Sequence, residues 1–339
     1  MLIVLAVACA FAVSAAACYW LSRRSTRLLD HPNERSLHTE AVPRAGGLGV
    51  LAGIAVGLAS LWFAGLATGP GLRADELLRL LGAGVLLAGV ALMDDLWSLS
   101  PILRLAVQVI AAAIVTTMDG MAITTLALPG LAAWDLGATA PVLTALLIVW
   151  MINLYNFMDG MDGLAATMTS GGCLFLALLG WQGAPQVAAA ACVVSASSAG
   201  FLLLNLPPAR LFLGDVGAVP LGFIAVTLIL LLRRAGAVDV LPALLVFAPF
   251  VLDATGTLAR RILRGAPVIR PHREHSYQQF VLSGRSHGQV LRGEALLILL
   301  SGALAYQYVH GSDLVRVLVM ATTIVIYASL AWWVGRVRR

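Results

Sequence analysis

The chain has 339 residues, of which 60% are apolar and 12% charged, and its mean hydropathy is +0.91. A soluble domain carries about a quarter charged residues, so a soluble core with a tail is excluded. The composition is that of an all-α, polytopic integral membrane protein in which 1–339 form one transmembrane domain. The net charge of +5 comes entirely from arginine, and near a membrane such charge usually sets topology.

Apolar runs of about 17–25 residues can cross a bilayer. They fall near 2–21, 46–66, 78–94, 102–118, 138–155, 163–181, 186–205, 216–233, 240–258, 289–306 and 314–335. That predicts eleven spans, or ten if one of the short fourth and eighth runs does not cross. The first run lacks a basic stretch before it and is followed by Arg23, Arg24 and Arg27. A cleaved signal peptide has the reverse order, so an uncleaved span with a periplasmic N-terminus is expected. With that orientation only Arg73, Arg79, Arg233, Arg234 and Arg316 of the 22 arginines lie outside, which is the bias a cytoplasmic excess requires. The cytoplasmic loops are then 22–45, 94–102, 155–163, 206–215 and 259–288. Cys9, Cys18, Cys173 and Cys192 all lie in apolar runs, without metal spacing, and are expected to pack as small hydrophobes.

Four polar clusters stand at span ends. Asp94 and Asp95 close the third span; Asn153, Asn156, Asp159 and Asp162 follow the fifth. Gly214-Asp215 precedes the eighth, and Pro271–Gln278, with His272, Arg273 and His275, separates the ninth from the tenth. An even number of crossings separates each from the next, so all four face the cytoplasm. Polarity beside a hydrophobic span is costly unless it binds something.

Adjacent residues on a helix diverge by about 100°, so Asp94 and Asp95 cannot share one ligand symmetrically. Taken alone, the pair also fits a solvated helix end. Asn153, Asn156, Asp159 and Asp162 step by three, which puts neighbours on one side of a helix; the bland alternative is a polar C-cap and loop. Gly214-Asp215 offers a hard oxygen ligand or a simple N-cap. Hard oxygens with few imidazoles suit Mg²⁺ or Mn²⁺. His272, Arg273 and His275 form a cationic cluster fitted to phosphate, whereas zinc lacks a third soft ligand nearby. His31, His287 and His310 read as structural or solvated.

These motifs resemble those of the bacterial polyprenyl-phosphate N-acetylhexosamine-1-phosphate transferases over nearly the full chain. That superfamily starts peptidoglycan lipid, enterobacterial common antigen, O-antigen and teichoic acid linkage synthesis. The segments Asp30–His38 and Pro43–Gly47 look like its opening signature. Asp94-Asp95 with Leu99–Arg104, Asn153–Ala165, Phe212–Asp215 and His272–Gln278 look like the rest. A run of consecutive histidines typical of the peptidoglycan branch is absent, and the histidine motif looks closer to O-antigen-initiating enzymes. The resemblance implies attack of undecaprenyl phosphate on the β-phosphorus of a UDP-N-acetylamino sugar, with release of UMP, at the cytoplasmic face of the bacterial inner membrane. It further implies Mg²⁺ held at Asp215 and Asn156, uracil stacked on Phe212, and a nucleotide or sugar pocket shaped by Asn153, Asp159 and Asp162, with Arg44 from the opening signature. His272, Arg273 and His275 would hold phosphate. Asp94 and Asp95 are cast as a base or as organisers; the acceptor phosphate, with a second pKa near ~6, favours organisers. Asp159 belongs with them among the candidate catalytic residues.

A transporter is the rival class, since acids with broken helices also mark transport sites. Those sites lie near the midplane between repeats, however, whereas these acids collect at one edge. No nucleic-acid partner is expected. The residues do not fix the amino sugar or the oligomeric state, and a homodimer stays open.

Overall fold

The computed structural model describes residues 1–24, 29–30, 41–66, 73–267 and 272–337. Most of the opening signature, including His31 and His38, lies outside them. The described chain is a helical bundle: α1 (Leu2–Arg24), α2 (Gly46–Phe63), α3 (Ala74–Trp97), α4 (Pro101–Thr116), α5 (Ala140–Met158), α6 (Leu164–Gly180), α7 (Pro185–Asn205), α8 (Asp215–Arg234), α9 (Val240–Val246), α10 (Ala248–Leu263), α11 (Ser276–Leu282), α12 (His287–His310) and α13 (Asp313–Val337). Extended structure is confined to two small antiparallel pairs, β1 (Leu29–Asp30) with β2 (Val42–Pro43) and β3 (Thr125–Leu126) with β4 (Trp134–Asp135).

Every predicted apolar run is helical. Among the described residues eight helices are long and apolar enough to span a membrane, or nine if α9 and α10 count as one span. This is a multi-pass membrane protein. The short runs are the fourth and sixth, Pro101–Thr116 and Leu164–Gly180. The eighth, expected to be marginal, is instead the 20-residue α8, whose apolar window is 83% buried.

The ninth run departs from expectation: it is two helices bent by 90°. The cause lies in the sequence. Pro249 has no N–H to give to the carbonyl four residues earlier, and its ring crowds that carbonyl. Phe247 therefore ends α9 and begins α10.

Other boundaries follow local chemistry. Ser100 accepts the Leu103 N–H at 3.2 Å, with Pro101 in the first turn of α4. Ser286 and Gln289 form a reciprocal capping box at α12, at 3.3 and 2.9 Å.

α8 is the axis, packed by α2, α3, α5, α6, α7 and α9. Its two ends differ. At the Arg234 end, Arg234 pairs with the buried Glu76 of α3 at 3.0 Å, and Arg233 donates to the Ala122 carbonyl at 3.0 Å. These are two of the five arginines assigned outside, and both are committed to partners. At the Asp215 end the four polar clusters gather.

Candidate active site

The acidic pair sits in the last turn of α3 rather than in a loop. As its spacing requires, the two carboxylates diverge. Asp94 accepts from the Leu99 N–H at 2.6 Å and from Arg104 Nη1 at 2.8 Å. Asp95 turns to α8, accepting from the Val216 N–H at 3.0 Å and the Asp215 N–H at 3.4 Å. A carboxylate at a helix N-terminus meets exposed N–H groups and the positive end of the helix dipole. Arg44 lies 3.6 Å from the Asp95 carboxylate and also donates to the Asp95 carbonyl.

Asp215 opens α8 and remains partly exposed. It shares a hydrogen bond with Asn156 and lies beside Asp94 and Asp95, with Arg104 at 3.8 Å. Three carboxylates, one carboxamide and two guanidiniums thus meet where α3, α5 and α8 converge. Gly214 makes this possible: its φ is +75°, and a side chain there would come within 2.6 Å of the Arg44 carbonyl.

The loop before α8 is held by backbone. Phe212 N–H donates to the Pro43 carbonyl at 2.8 Å, while Gly46 and Gly47 donate to the carbonyls of Phe212 and Leu213, each at 2.8 Å. The Pro43–Gly47 segment and the Phe212–Asp215 segment are therefore one structural unit. Phe212 is half-buried on it.

The four residues spaced by three do not share one face, because α5 stops at Met158. Asn153 stays within the bundle, donating to Gln108 at 2.6 Å and to the Val149 carbonyl at 2.8 Å. Asn156 reaches Asp215. Asp159 is the C-cap of α5. Asp162 lies in the following turn, where it accepts the Ala209 N–H at 3.1 Å and faces His287 Nδ1 at 3.2 Å. His287, read as structural or solvated, is largely buried and faces this acid. Sequence reasoning missed Asn205, which accepts the Gly163 N–H at 3.0 Å and donates to the Leu211 carbonyl at 2.9 Å, tying the two central motifs together.

The histidine motif packs against the end of α5. Tyr277 donates to the Phe157 carbonyl at 3.1 Å. The His275 ring stacks near Phe157 at 6.3 Å and Tyr277 at 6.0 Å, with His272 5.1 Å away. His275 is buried, so it supports the motif from behind, while His272 and Arg273 are half-buried. Burial lowers the His275 pKa below its ordinary value, opposed by nearby Asp253, so the ring is neutral at pH 7. Burial likewise holds the Tyr277 hydroxyl well above the usual tyrosine range, so it stays neutral, donating to the Phe157 carbonyl and accepting from the Gly160 N–H.

Among the described residues no group of three or more His, Cys, Asp or Glu side chains is arranged to hold a metal, zinc included. Asp94 and Asp95 already have strong partners. Asp215, bonded to Asn156 and 3.8 Å from Arg104, is the most exposed of the three acids, so it and Asn156 are the hard-oxygen pair a cation could reach; Mg²⁺ typically takes one or two carboxylates together with substrate phosphate. The arrangement suits neutralising and aligning phosphates at a membrane edge.

Comparison with known proteins agrees with this geometry. The profile of Glycosyl transferase family 4 matches residues 77–233, which run from the first turn of α3 to the last turn of α8. The chain is 30% identical over 280 residues to a probable undecaprenyl-phosphate N-acetylglucosaminyl 1-phosphate transferase of Bacillus subtilis, covering 81% of this chain and 74% of that protein. It is 32% identical over 292 residues to a decaprenyl-phosphate N-acetylglucosaminephosphotransferase of Mycobacterium tuberculosis, covering 77% and 70%. It is 27% identical over 286 residues to an undecaprenyl-phosphate alpha-N-acetylglucosaminyl 1-phosphate transferase of Yersinia pestis, covering 82% and 74%. With these acids, carboxamides and arginines gathered at one end of a membrane bundle, the chain belongs to glycosyl transferase family 4, the superfamily of polyprenyl-phosphate sugar-1-phosphate transferases.

Proposed function

We propose that this protein transfers an N-acetylhexosamine 1-phosphate from a UDP-sugar to undecaprenyl phosphate. An oxygen of the lipid phosphate attacks the sugar-bearing phosphorus, the bond to the UMP oxygen breaks, and UMP leaves. The observation that carries the reading is the meeting of Asp94, Asp95, Asp215 and Asn156 with Arg44 and Arg104 at one end of the bundle. Acids near the midplane between repeats would have favoured a transporter.

The larger task is to bring two anions together, because the acceptor is already mostly dianionic at neutral pH. Positioning and charge neutralisation carry most of phosphoryl-transfer catalysis. Asp215 and Asn156 are the residues that would hold Mg²⁺, or Mn²⁺, which when bound with the diphosphate supplies that neutralisation. Arg104, bridging Asp94 and Asp215, and Arg44, beside Asp95, keep the acids from repelling the substrates. His272 and Arg273 hold phosphate oxygens from the other side. Phe212 stacks on the uracil, with Asn153, Asp159 and Asp162 lining or shaping that pocket. The site faces the cytoplasm, in the inner membrane, and the product starts O-antigen or another envelope polysaccharide. The names of the relatives make UDP-N-acetylglucosamine the first donor to test.

The test is incorporation of label from a UDP-sugar panel into butanol-extractable lipid by the purified protein. Label should enter lipid with release of UMP, and added UMP should drive it back to UDP-sugar, because one anhydride is exchanged for another. No incorporation with any donor would overturn the reading.

A further inference from the structure

One buried acid in the apolar run 240–258 has no part in that scheme. Asp253 lies on α10, beyond the break at Phe247, with a side chain only 5% exposed. Its Oδ1 accepts from the Ser276 N–H at 3.0 Å, the Ser276 hydroxyl at 3.0 Å and the Thr257 hydroxyl at 3.1 Å. Its Oδ2 lies 2.9 Å from the same Ser276 nitrogen. His275 Nδ1, buried and without a hydrogen-bond partner among the described residues, stands 4.0 Å away.

A second tie lies on the same helix. Arg261, eight residues on and also buried, pairs with Glu274 and donates to the Pro267 carbonyl at 2.6 Å. Residues eight apart share a helix face. α10 thus grips the segment Glu274–Ser276 at both ends, just after His272 and Arg273.

We propose that Asp253 is a positioning residue for the transfer reaction: through Ser276 it sets the place of His272 and Arg273 against the donor diphosphate. It touches no substrate. The proposal rests on the reading of those two side chains as phosphate-binding. A carboxylate accepting from both groups of one residue fixes that residue more tightly than a single neutral bond.

The test uses the purified full-length protein. Asp253→Asn exchanges one acceptor oxygen for a donor. Ser276→Pro removes the N–H and the hydroxyl. Proline suits the first position of a helix, and His275 already has the extended backbone, φ −63° and ψ 150°, that a residue before proline requires. Each variant should raise KM for the UDP-sugar about tenfold to a hundredfold, the size of one hydrogen bond to a charged group, with kcat unchanged. The double variant should be no worse than either single variant, because both break one link. Hydrogen exchange in Ser276–Leu282 should quicken while α3 and α8 keep their rates. A wild-type KM in Ser276→Pro, or additive losses in the double variant, would overturn the proposal. Should Asp253→Asn fail to fold, Ser276→Pro decides alone. A wild-type protein without transfer activity would instead sink the functional reading, and the exchange measurement would still test the tether.

Discussion

The Asp95 carboxylate accepts the Val216 N–H at 3.0 Å, so an acid at the end of α3 caps the start of α8 from another helix. Asp94, its neighbour, is bound instead to Arg104 and the Leu99 N–H. These partners fit organisers better than a general base. Asp95→Ala would leave buried N–H groups unsatisfied and is expected to cost about 1–3 kcal/mol of stability, seen as a lower thermal midpoint in detergent. Asp94→Asn should keep a measurable rate whose pH profile still follows the acceptor phosphate near ~6. Loss of that limb, with cation binding intact, would restore the base assignment.

Gly160 and Tyr277 give a second prediction. A Cβ at Gly160 would stand 2.3 Å from the Tyr277 hydroxyl oxygen and 3.4 Å from the ring carbon that bears it. Gly160→Ala should therefore push the histidine motif off α5 and destabilise the protein by about 1–3 kcal/mol. Tyr277→Phe removes the obstructing oxygen, though it also loses the bond to the Phe157 carbonyl. The double variant should be less impaired than Gly160→Ala alone. Equal impairment would mean that the glycine serves something other than this contact.

Much of this was readable in the chain because apolar length and motif spacing are local properties. The divergence of Asp94 from Asp95 follows from the helical turn between adjacent residues. The shared end of the bundle follows from counting crossings. Spacing by three puts neighbours among Asn153, Asn156, Asp159 and Asp162 on one side only while a helix continues, and it does not show that α5 stops at Met158. Pairings such as Asp162 with His287, or Asn205 with the Gly163 N–H, join distant segments and leave no local mark. Asp253 did leave a mark. An ionisable residue inside an apolar run is a functional candidate by default.

Topology supplies a third prediction. Single cysteines placed at 160, 213 and 276 in a Cys-free background should all be labelled from the cytoplasm. Contacts already bring these segments together, through Tyr277 with Phe157 and through Asp95 with Val216. Periplasmic labelling at any of them would break the composite site.

His275 makes stability depend on pH. Its pKa in the folded protein is lowered, first by burial and further by Arg260 and Arg261, while Asp253 and Glu274 oppose the shift. The unfolded chain, with histidine near ~6.5, therefore takes up the proton first on acidification. The stability due to neutral His275 is fully present above that value and is lost progressively as pH falls below it. The His275 contribution should lower the thermal midpoint as pH falls below that value, so acidification from pH 7 to pH 5 should cost His275→Gln less than wild type. An identical slope in the variant would assign the effect to other groups.

The last prediction concerns the cation. Asp215 and Asn156 share a hydrogen bond, and Asp215, 3.8 Å from Arg104, is the most exposed of the three acids at the site. Two protein ligands make a weak site alone, so cation affinity should rise steeply when UDP-sugar is present, because the diphosphate completes the shell. Excess EDTA should stop turnover, and Mg²⁺ should restore it. Asp215→Asn removes the anionic ligand and should abolish turnover, while Asn156→Asp adds a charge beside three acids and should shift the Mg²⁺ requirement to lower concentration. The direct measurement is Mn²⁺ binding by electron paramagnetic resonance, with and without UDP-sugar, in wild type and Asp215→Asn. Activity undiminished by EDTA would remove the metal from the scheme. Equal Mn²⁺ binding by Asp215→Asn and wild type would move the cation to other residues.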